Sequence, residues 1–247
     1  MRKLLTFSCL VLLLFSCKKE KNINPETLPD SYSNQALGRS AYDILSAATY
    51  TTLNIQVQYM PGYELDPVTI TNLTQYLDSL CNKPGGITIT QTQIAANGNS
   101  FTVDSAAIVE RKNRTAYTNG KTVAVYILMT DGFDTSLTTL GFAYRNTSIC
   151  LFGKDIFANS GALGQPTRAA LETSVLEHEL CHILGLVNLG TPMVTPHEDP
   201  AHNNHCVNPH CLMYYAIDTH HALPGMSNTV PVIDSNCRRD LRANGGK

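Results

Sequence analysis

Residues 167–186 have the sequence TRAALETSVLEHELCHILGL, and this stretch decides the interpretation of the rest of the chain. Its apolar residues recur at helical spacing and form one wide face. They are Ala169, Ala170, Leu171, Val175, Leu176, Leu180, Ile183 and Leu184. Gly185 follows, and glycine enters the left-handed conformation that ends a helix at low cost. The stretch therefore predicts a long, amphipathic helix over Thr167 to Leu186.

Three residues of this helix carry chemistry. His178 and His182 are four positions apart, and Glu179 follows the first of them. Residues four apart lie on one face of a helix, so both imidazoles can reach a single metal ion, and two imidazoles suit zinc. Glu179 is placed to accept a proton from a water that zinc acidifies to a pKa of about 7. The pattern therefore indicates a hydrolytic zinc site with Glu179 as general base.

Upstream of this helix, strand and helix patterns alternate. Five strands are predicted, over Leu53–Tyr59, Ile87–Ile94, Val123–Met129, Leu140–Tyr144 and Ser148–Phe152. Helices are predicted over Gln35–Ala48, over Pro67–Leu80 with Asp66 as its cap, and over Ser105–Lys112 with Asp104 as its cap. Beyond Gly185 the chain is rich in Pro, His, Asn and Cys and has little periodicity. This order predicts a compact upper lobe over about 34–186 and an irregular lower lobe over about 187–247.

Length and composition bound these interpretations. With 247 residues, the chain suits one domain, or one domain split into two lobes around a cleft. Apolar residues make up 43% and charged residues 15%, which is enough to build a buried core. The net charge is -2 and basic residues form no block beyond the N-terminus, so nucleic acid is excluded as a partner.

The N-terminus predicts export. Residues 1–17 begin with a cationic start and continue as an apolar run too short for a permanent membrane span. The run ends in Leu14-Phe15-Ser16-Cys17, which resembles a bacterial lipobox, and this resemblance implies cleavage before Cys17 and attachment of lipid to it. An ordinary secretory signal is the alternative. Residues 18–33 are predicted to be a flexible tether, so the chain would be lipid-anchored at the periplasmic face or the cell surface.

The chemical motif resembles a known family. His178-Glu179-x-x-His182-x-x-Gly185 resembles the start of the metzincin signature, whose third histidine follows three residues after the glycine. Asn188 occupies that position here, and asparagine is a poor zinc ligand. The third ligand must therefore come from further along the chain.

A segment from His205 to Met213 supplies a candidate. It resembles the archaemetzincin segment in which the third zinc histidine is followed by Cys, four residues, Cys, one residue and the methionine of the Met-turn. The chain thus resembles an archaemetzincin with an insertion of about 17 residues before that histidine. His205 is preferred as third ligand because it alone has this distance to Met213, while His197 and His202 are the alternatives.

The resemblance implies further features. It implies an α+β, metzincin-like fold, with a mixed twisted sheet and packed helices in the upper lobe, the active-site helix, and an irregular lower lobe. Met213 would form the floor beneath the zinc, and Tyr215 would approach the metal and bind the oxyanion. Substrate would pair with a strand at the cleft edge, either Leu140–Tyr144 or Ser148–Phe152.

Six cysteines remain in the exported part of the chain: Cys81, Cys150, Cys181, Cys206, Cys211 and Cys237. The resemblance implies a second, structural zinc held by Cys206, Cys211, Cys237 and Asp234, with the aspartate in place of a fourth cysteine. Disulfides are the alternative, either between Cys206 and Cys211 or from one of them to Cys237, because an oxidising compartment favours them. Cys181 is expected either to pair with Cys150 or to remain a free core thiol.

Together these features predict a zinc-dependent endopeptidase, with one catalytic Zn2+ and a possible structural Zn2+. The expected partners are a peptide or protein substrate and a membrane reached through the lipid anchor only; nothing in the sequence indicates the oligomeric state. The alternatives are a zinc-binding but catalytically inactive surface lipoprotein, a hydrolase of a non-peptide amide, and a structural lipoprotein with incidental histidines.

Overall fold

The structure is a computed structural model that describes residues 27–98, 100–134, 139–217, 219 and 228–247. The predicted signal peptide, Cys17 and the tether up to residue 26 lie outside these residues. From Leu28 onward the chain packs on the rest of the protein, since Leu28 and Ser33 are buried. Within the described ranges, none of the helices is both long and apolar enough to cross a bilayer.

The chain forms nine strands and six α-helices over the described residues. The strands are β1 (Thr52–Tyr59), β2 (Ile87–Gln93), β3 (Ser100–Phe101), β4 (Thr122–Thr130), β5 (Phe133–Asp134), β6 (Gly141–Arg145), β7 (Ser148–Phe152), β8 (Glu198–Asp199) and β9 (His202–Cys206). The helices are α1 (Ala41–Leu45), α2 (Pro67–Leu80), α3 (Val103–Asn113), α4 (Gly153–Ala158), α5 (Arg168–Ile183) and α6 (Ser235–Ala243), and a 3-10 turn covers Tyr32–Asn34.

Five strands form the main sheet, in the order β2-β1-β4-β7-β6. Neighbours pair in parallel, except that β6 returns antiparallel to β7 and occupies the edge. The short pairs β3–β5 and β8–β9 form two small separate sheets. The predicted combination of a mixed sheet with packed helices is therefore confirmed, and each of the five predicted strands lies in the main sheet.

Apolar side chains cover both faces of this sheet. On β4, Val125 and Ile127 join the larger core cluster on the face covered by α2 and α5, whereas Tyr126 and Leu128 join a smaller cluster on the α3 face. Burial on both faces explains why β4 is a continuous apolar run, as is usual for a central parallel strand.

The predicted helices are correct in part. For α2 the expected cap is present, because the Asp66 side chain accepts a hydrogen bond from the Val68 N–H. The predicted cap of α3 is wrong: Thr102, not Asp104, caps this helix, in a reciprocal box with Ser105. The Thr102 side chain, at the residue just before the helix, satisfies the free N–H groups better than Asp104, which is already inside the helix.

The predicted helix over Gln35–Ala48 is also wrong in extent, since only Ala41–Leu45 is α-helical. Gly38 interrupts it with a φ of 77°, and a Cβ there would lie 1.9 Å from the Leu189 carbonyl oxygen. The backbone of the segment after α5 approaches so closely that only glycine fits.

Helix α5 agrees closely with the prediction. Thr167 caps it by accepting a hydrogen bond from the Ala170 N–H, and Gly185 follows its end with a φ of 74°. Every residue from Ala170 to Ile183 is buried, because α5 contacts α2, β6 and β7. The segment beyond is mostly irregular, as predicted, but α6 was not anticipated from the sequence.

Candidate metal centres and cleft

Three histidines meet where α5 faces β9. His178 and His182 lie one turn apart on α5, and His205 comes from β9. Their ring centroids are 4.8, 5.1 and 5.3 Å apart, and one ring nitrogen of each lies within 4.8 Å of the other two. The third candidate ligand of the sequence is thus next to the helical pair.

Hydrogen bonding sets the tautomer of His178. Its Nδ1 lies 2.8 Å from the Leu212 carbonyl oxygen, which can only accept, so Nδ1 carries the proton. The lone pair is therefore on Nε2, and this atom lies 3.2 Å from Nε2 of His182. Burial and the neighbouring His178 and His205 lower the pKa of His182 well below its usual value, which keeps that ring neutral.

The histidine spacing fits zinc. Zinc–nitrogen distances of about 2.0–2.1 Å at a tetrahedral angle separate two ligand nitrogens by about 3.3–3.4 Å. The observed 3.2 Å between His178 and His182 is close to this value. Two facing imidazole nitrogens at this separation form a donor pair that suits a zinc ion.

Glu179 lies beside the three histidines and is only 2% exposed. Its Oε2 accepts a hydrogen bond of 2.7 Å from the backbone N–H of Ala143 on the edge strand β6. A cleft of about 330 Å³ joins these groups, since Glu179, His182, His205 and β6 all line it. The carboxylate, two of the imidazoles and an exposed sheet edge therefore face one space.

The other two candidate histidines have different partners. His197 lies 2.8 Å from Asp240 through its Nε2, and its Nδ1 is 3.8 Å from the Cys206 sulfur. His202 lies 2.8 Å from Asp199. In the part of the chain that the structure describes, the group that approaches His178 and His182 contains neither of them.

Tyr215 and Met213 have contacts that do not test the predicted roles. The Tyr215 ring stacks on His202, with centroids 3.5 Å apart and an angle of 3°, and it is not among the described residues that line the cleft. Met213 is fully buried, and its carbonyl accepts the Cys206 N–H at 2.7 Å. The carbonyl of its chain neighbour Leu212 accepts from His178, so the predicted Met-turn lies close to His178 in space.

A second cluster combines Cys206, Cys211, Cys237 and Asp234, whose ligand atoms lie within 4.8 Å of one another. The Cys211 and Cys237 sulfurs are 3.7 Å apart, and the Cys206 sulfur is 3.5 Å from Asp234 Oδ2. Tetrahedral zinc, with Zn–S of about 2.3 Å and Zn–O of about 2.0 Å, requires about 3.8 Å and about 3.5 Å for these separations. The cluster therefore fits a second zinc ion.

Hydrogen bonds favour the thiolate form of Cys211. The neighbouring sulfurs of Cys206 and Cys237 lower the pKa of Cys211 to about 4. The backbone N–H groups of Met213 and Asp234 donate to the same sulfur at 3.4 and 3.3 Å. The thiolate is the form that binds metal.

None of the predicted disulfides is present among the described cysteines. All six are free, and the 3.7 Å between Cys211 and Cys237 far exceeds the S–S bond length of about 2.05 Å. Cys150 and Cys181 do not pair, because they belong to core clusters on opposite faces of the main sheet. Cys181 instead lies 2.9 Å from the Tyr76 hydroxyl, so its free-thiol alternative is correct.

Sequence reasoning missed several groups of the site. The Ala143 N–H and the Leu212 carbonyl orient Glu179 and His178, but backbone groups leave no trace in residue identity. The His197–Asp240 pair beside Cys206 was also missed. Asp240 lies one turn after Cys237 on α6. A helix prediction over this segment would have placed the two residues on one face and so indicated Asp240.

Comparisons with known proteins add one structural likeness. No protein-family model matches the chain, and no curated protein matches it. Among solved structures, it is similar to the crystal structure of archaemetzincin from Methanopyrus kandleri, with 13% sequence identity and a TM-score of 0.47 over 80% of this chain and 96% of that chain. Because this likeness is small, the chemistry of this chain is inferred only from its own residues.

Proposed function

We propose that the chain is a zinc-dependent endopeptidase. One observation carries the proposal: three imidazoles from α5 and β9 converge, and two of them share one cleft with the Glu179 carboxylate. Three protein ligands with a remaining open position are typical of catalytic rather than structural zinc.

In this proposal His178, His182 and His205 hold the catalytic zinc. Zinc supplies acidification of a water and polarisation of a carbonyl group when it is bound. The chain contributes Glu179 as general base. Its Oε1 atom would accept a proton from the water, and Glu179 would then pass this proton to the leaving amine. The Ala143 N–H orients the carboxylate through Oε2, so the base is positioned before substrate arrives.

The edge strand favours a peptide substrate over other amides. Ala143 directs its N–H to Glu179 rather than to β7, and Gly141, Phe142 and Ala143 all line the cleft. An extended peptide can add to such an edge by main-chain hydrogen bonds, with its carbonyl groups alongside the general base. Of the two strands considered from the sequence, β6 has this position, because β7 is paired on both sides.

Cleavage of a peptide library by the zinc-loaded chain tests the proposal. Glu179→Gln preserves size and should lower kcat by about 10²–10⁴, with zinc content unchanged. Glu64→Gln is the matched control, because Glu64 is exposed and lies outside the cleft. If the unaltered chain binds zinc but cleaves no peptide, the result contradicts the proposal and favours the alternative of a catalytically inactive zinc-binding protein.

We further propose that Cys206, Cys211, Asp234 and Cys237 hold a structural zinc. The two separations that match tetrahedral zinc support this assignment. Zinc analysis of the purified chain should then give two ions per molecule. One ion per molecule together with no reactive thiol at these cysteines would favour disulfides.

We also propose that the chain is exported and anchored to a bacterial membrane by lipid on Cys17. The charged start, the apolar run and the lipobox-like residues before Cys17 support this. Incorporation of a labelled fatty acid should be lost in Cys17→Ser, while export persists. Equal labelling in that variant would place the lipid elsewhere or reject the anchor.

A further inference from the structure

The carboxylate of Glu110 lies at the centre of a buried hydrogen-bond network outside the metal cleft. Glu110 is on α3 and is fully buried. Its Oε1 accepts hydrogen bonds of 2.7 Å from Arg114 Nη1 and from the Ser148 hydroxyl. Its Oε2 accepts one of 2.9 Å from the Tyr144 hydroxyl and another from the Arg145 guanidinium. The carboxylate therefore has two donors on each oxygen and joins α3 to the neighbouring strands β7 and β6.

Arg114 makes Glu110 a rigid anchor. Both side chains of this ion pair are fully buried. The guanidinium Nη2 also donates to the Ala124 carbonyl of β4 at 3.1 Å, and its Nε donates to the Ala116 carbonyl at 2.9 Å. Because β4 is the central strand of the main sheet, the Glu110 carboxylate is fixed relative to the middle of the sheet and not only to its edge.

The two donors from β6 are neighbours in the chain. Successive side chains of a regular strand point to opposite faces of the sheet. Tyr144 and Arg145 are successive residues at the end of β6, yet both reach Oε2 of Glu110. The pairing explains this, because β7 advances by one residue while β6 advances by two, from Ala143 to Arg145. Tyr144 is thus the extra residue of a bulge, and bulges re-aim side chains in this way.

This bulge adjoins the part of β6 that serves the cleft. Ala143, whose N–H donates to Glu179 Oε2 at 2.7 Å, is the residue before Tyr144. The Tyr144 ring also contacts the ring of Phe142 edge-on, with centroids 5.6 Å apart, and Phe142 lines the cleft. Glu110 is not among the described residues that line the cleft, so any effect on the cleft is transmitted through the strands that it binds.

We propose that Glu110 is a positioning residue of the peptidase reaction. By holding the bulge, it fixes the Ala143 N–H against Glu179 and keeps the adjoining edge of β6 in the conformation that pairs with an extended peptide. Buried hydrogen bonds to a charged acceptor are among the strong ones, which suits a strand that is paired on one side only. The inference rests on the proposed function, since it assigns a role within that reaction.

Tyr144→Phe tests the proposal against a matched control. This substitution removes only the hydroxyl that donates to Glu110 from β6. Tyr126→Phe removes an equivalent hydroxyl, which donates to Gln58 Oε1 at the same distance of 2.9 Å, in the same apolar cluster but on the central strand β4. Both variants should lose a similar amount of thermal stability, so a functional difference between them does not arise from stability alone.

Two measurements on the zinc-loaded chain read out the position of β6. In the first, an extended peptide of about eight residues is compared with a dipeptide derivative that has the same scissile bond but is too short to add as a strand. Tyr144→Phe should raise KM about tenfold for the extended peptide and leave KM of the short substrate unchanged. In the second, which needs no activity, the Ala143 N–H should exchange with solvent about tenfold faster in Tyr144→Phe. Tyr126→Phe should change neither quantity.

Glu110→Gln should have the larger effect in both measurements, because both donors from β6 lose their charged acceptor. This variant also leaves Arg114 buried without a counterion, which is strongly destabilising. If it does not fold, Tyr144→Phe still decides the question.

The outcomes separate this inference from the proposed function. Equal KM values and equal exchange of the Ala143 N–H in Tyr144→Phe and Tyr126→Phe would overturn the positioning role of Glu110. If the unaltered chain cleaves neither substrate, the proposed function fails. Faster exchange of Ala143 in Tyr144→Phe alone would then still support the hold of Glu110 on β6, and equal exchange would overturn it.

Discussion

Replacement of Asp234 separates two roles that this side chain combines. Its Oδ1 caps α6 by accepting hydrogen bonds of 3.0 Å from the N–H groups of Asn236 and Cys237. Its Oδ2 faces the Cys206 sulfur at 3.5 Å, in the position of a zinc ligand. Asp234→Asn keeps an oxygen for the cap but loses the charged ligand, whereas Asp234→Ala loses both.

The two roles should contribute different free energies. Loss of the cap in Asp234→Ala should cost about 1 kcal/mol of unfolding free energy without zinc, and Asp234→Asn should cost only a few tenths. A structural zinc ion binds with a free energy of about 10–16 kcal/mol, shared among four ligands. Loss of one ligand should therefore cost about 3 kcal/mol of zinc-binding free energy in both variants. Zinc affinity should then fall about 100-fold in each.

Competition with a chelator of known affinity measures zinc binding, and thermal unfolding with and without zinc measures the cap. Asp104→Asn is a matched control, because Asp104 is an exposed aspartate in the first turn of another helix. Asp234→Cys should bind zinc tightly through four thiolates but lose the cap. Unchanged zinc affinity in both Asp234→Asn and Asp234→Ala would refute the role of Asp234 as a ligand.

Three further predictions concern the helix that carries the site and the histidines around it. His205→Ala should remove one zinc ion per chain by elemental analysis and His202→Ala none; the reverse result would move the third ligand. Burial raises the pKa of Glu177 to about 8. The folded state therefore holds a proton that the unfolded chain releases above pH 4.5, so urea stability should fall between about pH 5 and pH 8, and Glu177→Gln should flatten this fall. Gly185→Ala should cost more than about 1 kcal/mol in urea unfolding, because φ is 74° and its Cβ would lie 2.6 Å from Thr191 N; unchanged stability would show that this turn is not constrained.

The parts of the site that the sequence predicts are those set by local spacing. His178 and His182 must share a helix face once α5 forms, and the apolar pattern and Gly185 predict α5 itself. The distance from His205 to Met213 selected one histidine of three, and the structure brings His205 to the helical pair. Their roles as zinc ligands stay predictions.

Features that depend on contacts distant in sequence could not be predicted. Gly38 interrupts the first helix because Leu189, about 150 residues later, approaches its backbone. Cys150 and Cys181 were considered as a pair, but residue identity does not show that the main sheet separates them. The contact between Ala143 and Glu179 likewise arises only when β6 reaches the sheet edge beside α5.

Anomalous diffraction at the zinc absorption edge, on crystals of the zinc-loaded chain, would locate the metal independently of activity. We expect a peak about 2.0–2.1 Å from one ring nitrogen of each of His178, His182 and His205. A peak that His178 and His182 share with His197 or His202, or no peak beside the helical pair, would contradict the proposed zinc site.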